Sequence, residues 1–217
     1  MAKNNKQVYD SRLAKSVFNI KHQRTFCMVK PDGVMRGLVG EILRRIEKSG
    51  LRIVAMKMLV PNQEIIKKHY PASDEAWVKR LGDKGISALE GLNLDVVETY
   101  GTDDRRELGD MVVKSLIEYM QSGPCVAMVV EGVQAIDMVR KLAGSTIPSQ
   151  AEMGTIRGDF SVDTPAVANV EKRAIHNIFH ASENAAEAEN EIKLWFAGEK
   201  IHDYSLAGDE VMYNKHY

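Results

Sequence analysis

Four short apolar runs, separated by segments of helical period, constrain this chain more than any other feature. Thr25–Val29 reads as a compact strand that enters Lys30-Pro31-Asp32-Gly33, which is turn chemistry. Leu38, Val39, Ile42, Leu43 and Ile46 then fall at helical spacing, and Ser49-Gly50 stops that helix. Leu51–Val60 is the second strand, closed by Pro61, with a short helix over Glu64–Tyr70. Further on, Thr102 is the expected cap of a strong helix whose stripe includes Leu108, Met111, Val112, Leu116 and Tyr119. Ser122-Gly123-Pro124 turns the chain into the strand Cys125–Val130, and a helix from about Gln134 to Leu142 follows. The fourth run, Asn177-Ile178-Phe179-His180, ends in Ala181-Ser182, with Ser182 the expected N-cap of a helix striped by Ala185, Ala188, Ile192 and Trp195.

The resulting order is βαββαβ. It predicts an α+β (α/β) fold with an antiparallel sheet and helices on one face, the ferredoxin-like arrangement, plus a helical insertion and a C-terminal helix. Residues 1–22 form an N-terminal arm, with Asp10-Ser11 capping a helix that aligns Leu13, Val17 and Ile20. Residues 23–217 form one domain, interrupted by insertions at about 71–105 and 161–174. The first insertion is helical in pieces: Trp77 and Leu81 share a face, as do Ile86 and Leu89. The second is polar and irregular.

Composition removes several classes. With 29 basic and 30 acidic residues, no overall basic field favours nucleic acid. The two cysteines, Cys27 and Cys125, lie inside apolar runs and read as core residues of a cytoplasmic protein, not as a disulfide or metal framework. No run reaches the length of a membrane span, so no membrane partner is expected. A βαββαβ sheet that binds nucleic acid would show paired aromatics and basic residues on its strands, and Thr25–Val29 and Cys125–Val130 offer a single Phe and no base.

The chemistry-bearing residues converge on phosphate. His180 sits at a strand-to-helix junction, where a side chain can face a cleft. Lys30 ends the first strand, Arg140 rides the helix after the third, and Arg157 lies in Gly154-Thr155-Ile156-Arg157-Gly158-Asp159-Phe160. Each has an ordinary alternative: a structural histidine, a solvated strand end, an exposed helix residue, a partner for Asp159. There is no P-loop and no dinucleotide fingerprint, so a nucleotide site here is of another type. His22, His69, His176, His202 and His216 show no metal-ligand spacing with cysteine or acidic partners.

Lys30 through Ile42 (KPDGVMRGLVGEI), Gly154–Phe160 and Asn177–Ser182 closely resemble the signature segments of nucleoside diphosphate kinases, in that family's order. The resemblance extends to Ser122–Gly132 and Glu191–Tyr204. It implies transfer of the γ-phosphoryl of a nucleoside triphosphate, typically ATP, to a nucleoside diphosphate through a phosphohistidine on His180. It also implies that Lys30, Tyr70, Arg140, Thr146, Arg157 and Asn177 hold phosphates and ribose hydroxyls, and that Ser182 and Glu191 orient the histidine. Mg²⁺ is then the cofactor, carried on the nucleotide phosphates and not in a protein cage. A homo-oligomer, tetramer or hexamer, is implied as well, with the Gly144–Thr155 loop near its contacts.

The base end departs from that pattern. Counting back from Ser122-Gly123-Pro124, Val112 occupies the position of the family's base-stacking aromatic, and Ala174 stands where valine is common. Val112 offers no π-face, so Trp77 and Tyr100 in the first insertion are the candidate platforms, with low selectivity among bases the expectation. By the geometry of the last helix, Glu191 lies eight residues past Glu183, a rise of about 12 Å, so that helix must fold back past His180.

Overall fold

The computed structural model describes residues 15, 16 and 18–213; the predicted cap at Asp10-Ser11, with Leu13 and Val17, lies outside them. Four strands, β1 (Gln23–Val29), β2 (Arg52–Leu59), β3 (Cys125–Gly132) and β4 (Phe179–Ala181), form a sheet in the order β2-β3-β1-β4. All three pairings are antiparallel. This is the ferredoxin-like order, with the first and third strands at the centre.

Helices cover both faces of the sheet, not one. Alternate residues of the central strands enter two separate cores. Cys27, Val29, Val126, Met128 and Val130 pack with helices α2 (Val39–Lys48) and α7 (Ala135–Ala143). Phe26, Met28, Cys125, Ala127 and Val129 pack with α3 (Gln63–His69), α6 (Arg105–Gln121) and α10 (Ala185–Trp195). The sign was in the sequence: a run such as Cys125–Val130, apolar at every position, marks a strand buried on both sides. Each fully buried Phe, Met or Val contributes about 1.5–3 kcal/mol relative to exposure.

Local rules explain most boundaries, with informative exceptions. The expected turn at Lys30–Gly33 is the opening of a short helix, α1 (Pro31–Met35), with proline in its first turn, where its missing N–H costs nothing. Asp104, not Thr102, caps α6 by accepting from the N–H groups of Arg106 and Glu107. Asn184, not Ser182, caps α10, because the Ser182 hydroxyl is turned inward.

The first insertion holds a continuous helix, α4 (Glu75–Glu90), and the short α5 (Val96–Tyr100). Helix α4 lies against α6 at near-backbone contact: a Cβ at Gly82 would meet the Arg105 carbonyl oxygen at 2.0 Å, and one at Gly109 the Val78 carbonyl oxygen at 2.1 Å. The Gly144–Thr155 loop contains a 3₁₀ turn at Pro148–Gln150 and leads into α8 (Ile156–Phe160). The second insertion, predicted irregular, carries α9 (Pro165–Val170), and Asn169 Nδ2 on α9 donates to the Gly85 carbonyl on α4 at 3.3 Å. The two insertions therefore meet. A final short helix, α11, spans Asp209–Tyr213. Among the described residues, no helix is long and apolar enough to cross a membrane.

Candidate active site

His180 stands on the edge strand β4, opposite Met28 of β1. The turn before it is strained. Phe179 N–H donates to the Asn177 carbonyl at 2.6 Å, a γ-turn with Ile178 at φ 55°. A β-branched residue rarely adopts that conformation, so its surroundings must hold it. Asp32 Oδ2 accepts from the Ile178 N–H at 3.1 Å, and the Ile178 carbonyl accepts from the Lys30 N–H at 2.8 Å. Tyr119 Oη donates to the other Asp32 oxygen at 2.6 Å. Asp32 and Tyr119 were not among the sequence candidates. Only the tertiary fold, which joins residues far apart in the chain, reveals them.

Behind the imidazole, α10 folds back as its geometry required. Glu191 Oε1 lies 2.9 Å from His180 Nε2 in a bent contact, and Ser182 Oγ donates to Glu191 Oε2 at 2.6 Å. By its position in the sequence, His69 shows no metal-ligand spacing with cysteine or acidic partners. The structure overturns this: its Nδ1 is 3.0 Å from the same Glu191 oxygen, its ring centroid is 4.5 Å from that of His180, and the Trp195 indole nitrogen lies 3.4 Å from the same Nδ1. Burial, reinforced by the neighbouring His69 and opposed by Glu191, lowers the His180 pKa to about 4. Burial alone would raise the Glu191 carboxyl, but hydrogen bonding from His180 and His69 outweighs it and brings the group to about 2. The pair is thus a neutral imidazole beside an ionised carboxylate. With Nε2 on the carboxylate side, Nδ1 keeps a free lone pair.

Lys30, Tyr70, Arg140, Thr146, Arg157 and Asn177 line the cleft that His180 faces, and Val112 lines its far part. Lys30 Nζ donates to Asn177 Oδ1 at 2.8 Å, and Asn177 Nδ2 donates to the Thr146 carbonyl at 3.0 Å. Arg157 lies on α8. Its guanidinium donates to the carbonyls of Gly144 and Phe179, each at 2.6 Å, while Asp159 pairs with Arg45 instead. Arg140 donates to the Glu183 carbonyl. Burial, with help from the nearby Arg157 charge and against Asp32, lowers the Lys30 pKa to about 7. Burial likewise brings Arg157 down to about 10. Tyr70 Oη and Arg157 Nε are buried without a partner, which marks donors able to meet a ligand.

Val112 and Ala174 line the same cleft as Trp77 and Tyr100. Trp77 stacks on Tyr70, with ring centroids 6.4 Å apart and an interplanar angle of 24°, which places it toward the histidine end. Among the described residues, the phosphate-end donor set of Lys30, Tyr70, Arg140, Thr146, Arg157 and Asn177 is cationic or neutral. It suits an ion that arrives on phosphate oxygens. His69, His180 and Glu191 have ligand atoms within 4.8 Å of one another, but two nitrogens and one carboxylate suit a softer metal than Mg²⁺.

A ferredoxin-like sheet with a buried cationic cluster facing an edge-strand histidine defines a phosphate-handling enzyme. Comparison with known proteins makes the class specific. The sequence model of the nucleoside diphosphate kinase family matches residues 23–79 and 98–201. The nucleoside diphosphate kinase of Pyrobaculum aerophilum is 47% identical over 179 residues, 82% of this chain and 97% of that protein. The crystal structure of an NDP kinase from P. aerophilum aligns with a TM-score of 0.79 at 44% identity, covering 84% of this chain and all (100%) of that one. The Borrelia burgdorferi enzyme, solved as a transition-state mimic with vanadate and ADP, aligns at TM-score 0.69 and 36% identity, covering 88% and 97% of the two chains. The Halobacterium salinarum enzyme in complex with CDP aligns at TM-score 0.63 and 30% identity, covering 88% and 99%. The chain belongs to the nucleoside diphosphate kinase family and is an enzyme of nucleotide phosphotransfer.

Proposed function

We propose that the enzyme transfers the γ-phosphoryl group of a nucleoside triphosphate, typically ATP, to a nucleoside diphosphate through a phosphohistidine on His180. The observation that carries this reading is the Glu191 contact on Nε2 of His180, a residue that lines the cleft, which leaves Nδ1 as the nucleophilic nitrogen. In the first half-reaction the Nδ1 lone pair forms a bond to the γ-phosphorus. The bond to the bridging oxygen breaks, and the diphosphate leaves with that electron pair. The ring gains positive charge, which Glu191 stabilises, and Ser182 holds the carboxylate in place. In the second half, a terminal oxygen of the incoming diphosphate takes the phosphoryl group and restores the neutral ring.

Such a transfer needs positioning and charge more than covalent help. Lys30, Arg140 and Arg157 meet the phosphate oxygens. Tyr70 and Asn177 donate hydrogen bonds to phosphate or ribose, Thr146 supports the same end, and Val112 borders the base. Mg²⁺ bound to the nucleotide supplies charge neutralisation at the phosphates. His180→Ala should abolish transfer while leaving the fold intact, and initial rates at several donor concentrations should give parallel double-reciprocal lines. Retained transfer in that variant sinks the proposal.

A symmetric homo-oligomer, tetramer or hexamer, belongs to the same reading. Among the described residues, strand β2 has β3 as its one sheet neighbour, and its Met56 and Met58 are 53% and 60% exposed, an apolar pair that a second copy could cover. The unpaired thiols of Cys27 and Cys125 support a reducing, cytoplasmic setting.

A further inference from the structure

The tetrapeptide at the end of β1 takes both backbone polar groups of Ile178, the residue at positive φ two positions before His180. Asp32 Oδ2 accepts from its N–H at 3.1 Å, and its carbonyl accepts from the Lys30 N–H at 2.8 Å. Gly33 leaves room for this approach. A Cβ there would lie 3.0 Å from the Ile178 carbonyl oxygen and 2.8 Å from Val29 Cγ1, so a side chain would push the turn away. Lys30-Pro31-Asp32-Gly33 thus does more than carry the Lys30 ammonium.

Asp32 is itself aimed. Its other oxygen accepts from Tyr119 Oη at 2.6 Å. The Tyr119 ring is held in turn, with His176 stacked on it at a centroid distance of 4.9 Å and Lys30 Nζ 5.5 Å from its centre. Asp32, Tyr119 and Ile178 are all buried, and none lines the cleft that His180 faces. Any effect they have on the reaction must pass through residues that do.

Strand β4 needs such help. It is an edge strand of three residues, paired to β1 at Val29, Met28 and Cys27. So short a ladder fixes the direction of His180 weakly by itself. The turn supplies the rest: Asn177 before it reaches Lys30 Nζ and the Thr146 carbonyl, and the Phe179 carbonyl after it accepts from Arg157. A β-branched residue released from its partners relaxes to negative φ, which redirects the chain on either side. We infer that Asp32, aimed by Tyr119, is a positioning residue for the nucleophile: it holds the Ile178 turn in its strained form and so sets where His180 stands against the phosphate donors. This rests on the phosphohistidine reading above and adds two residues to it.

Asp32→Ala alone is ambiguous, because the carboxylate also favours the charged form of Lys30. The test therefore compares glycine with alanine at position 178. Both remove the buried Ile side chain, but glycine adopts positive φ without strain. With Asp32 present, Ile178→Gly and Ile178→Ala should be phosphorylated by ATP and Mg²⁺ in single turnover at rates within about threefold. In the Asp32→Ala background the Gly form should be faster than the Ala form by at least about fivefold, with ADP affinities equal within about twofold. Equal rates in that background overturn the proposal, since a charge effect on Lys30 or a loss of stability would strike both forms alike. So does a rate difference matched by an equal difference in affinity.

Tyr119→Phe removes one oxygen and keeps the ring and the Asp32 charge, which secures the test if the position-178 variants disturb folding. It should slow phosphorylation at least about threefold at unchanged ADP affinity, and a wild-type rate overturns the proposal. If the wild type forms no phosphoenzyme, the phosphohistidine reading fails. The clamp is then decided by kcat and KM for overall transfer from ATP to a diphosphate in the same variants, where a Gly form no faster than the Ala form without Asp32 overturns it.

Discussion

Glu191→Gln isolates the charge behind the proposed nucleophile. Glutamine keeps the shape and one acceptor oxygen, so the contacts to His180 at 2.9 Å and His69 at 3.0 Å can persist without the negative charge. The Ser182 hydroxyl, which also reaches the Phe26 carbonyl at 3.1 Å, can turn to accept from the new amide. What disappears is the charge assistance as the ring turns positive. Hydrogen bonds to charged groups contribute about 1.5–3 kcal/mol and neutral ones about 0.5–1.5, so the loss is about 1–2 kcal/mol. That corresponds to phosphorylation slower by about 5- to 30-fold. Glu191 does not line the cleft, so nucleotide affinity should stay unchanged. Because Glu191 also works to raise the His180 pKa, the acid limb of the rate profile should move to lower pH. Single-turnover phosphorylation and equilibrium binding, measured side by side, test this. A wild-type rate in Glu191→Gln, or a rate loss matched by an equal affinity loss, would refute the reasoning.

Other outcomes follow from the same geometry. Lys30, with a pKa lowered to about 7 by burial, should be largely neutral in the free enzyme at pH 8 and charged once phosphate binds, so calorimetry in buffers of different ionisation enthalpy should record proton uptake on ADP binding. Burial holds His180 at about 4, below the unfolded value near 6.5. Stability it contributes is present above pH 6.5 and lost as the pH falls toward 4, by at most about 1.4 kcal/mol per unit, and denaturant titrations of wild type and His180→Ala should differ in that window. Gly82→Ala, with its Cβ 2.0 Å from the Arg105 carbonyl oxygen, should cost about 1–3 kcal/mol. Gly85→Ala, with nothing within 4 Å, should instead gain about 0.5–1 kcal/mol by helix propensity. Thermal melts in opposite directions are the check. Light scattering at micromolar concentration should give a closed oligomer, and a monomer would contradict that part of the reading.

Much of the fold was legible because it rests on local pattern. The strands around Phe26, Val54 and Met128 declare themselves by apolar runs, and their βαββαβ order leaves few topologies. The phosphate-end residues were legible by resemblance, and the cleft brings all of them together. What escaped depends on contacts between distant parts of the chain. His69 gains meaning only when Glu191 arrives beside it. Ser182 carries the chemistry of a cap, yet the buried Glu191 carboxylate competes for its hydroxyl and wins, leaving Asn184 to cap α10. Ile178 gives no sign of a positive φ, since β-branching argues against one; Asp32 enforces it from β1's end of the sheet. The first insertion lacks strong periodicity because its glycines at 82 and 85 serve close packing and open space rather than an apolar stripe.

The central claim is a covalent phosphoryl intermediate on His180, and the direct measurement is its isolation. The protein is incubated with γ-labelled ATP and Mg²⁺, freed of nucleotide, and mapped by mass spectrometry under neutral conditions. The account predicts about one phosphate per chain on His180, labile to acid, stable to base and discharged as triphosphate on adding a nucleoside diphosphate. Rapid phosphotransfer with no such intermediate, or an acid-stable label on Ser182 in its place, would contradict it.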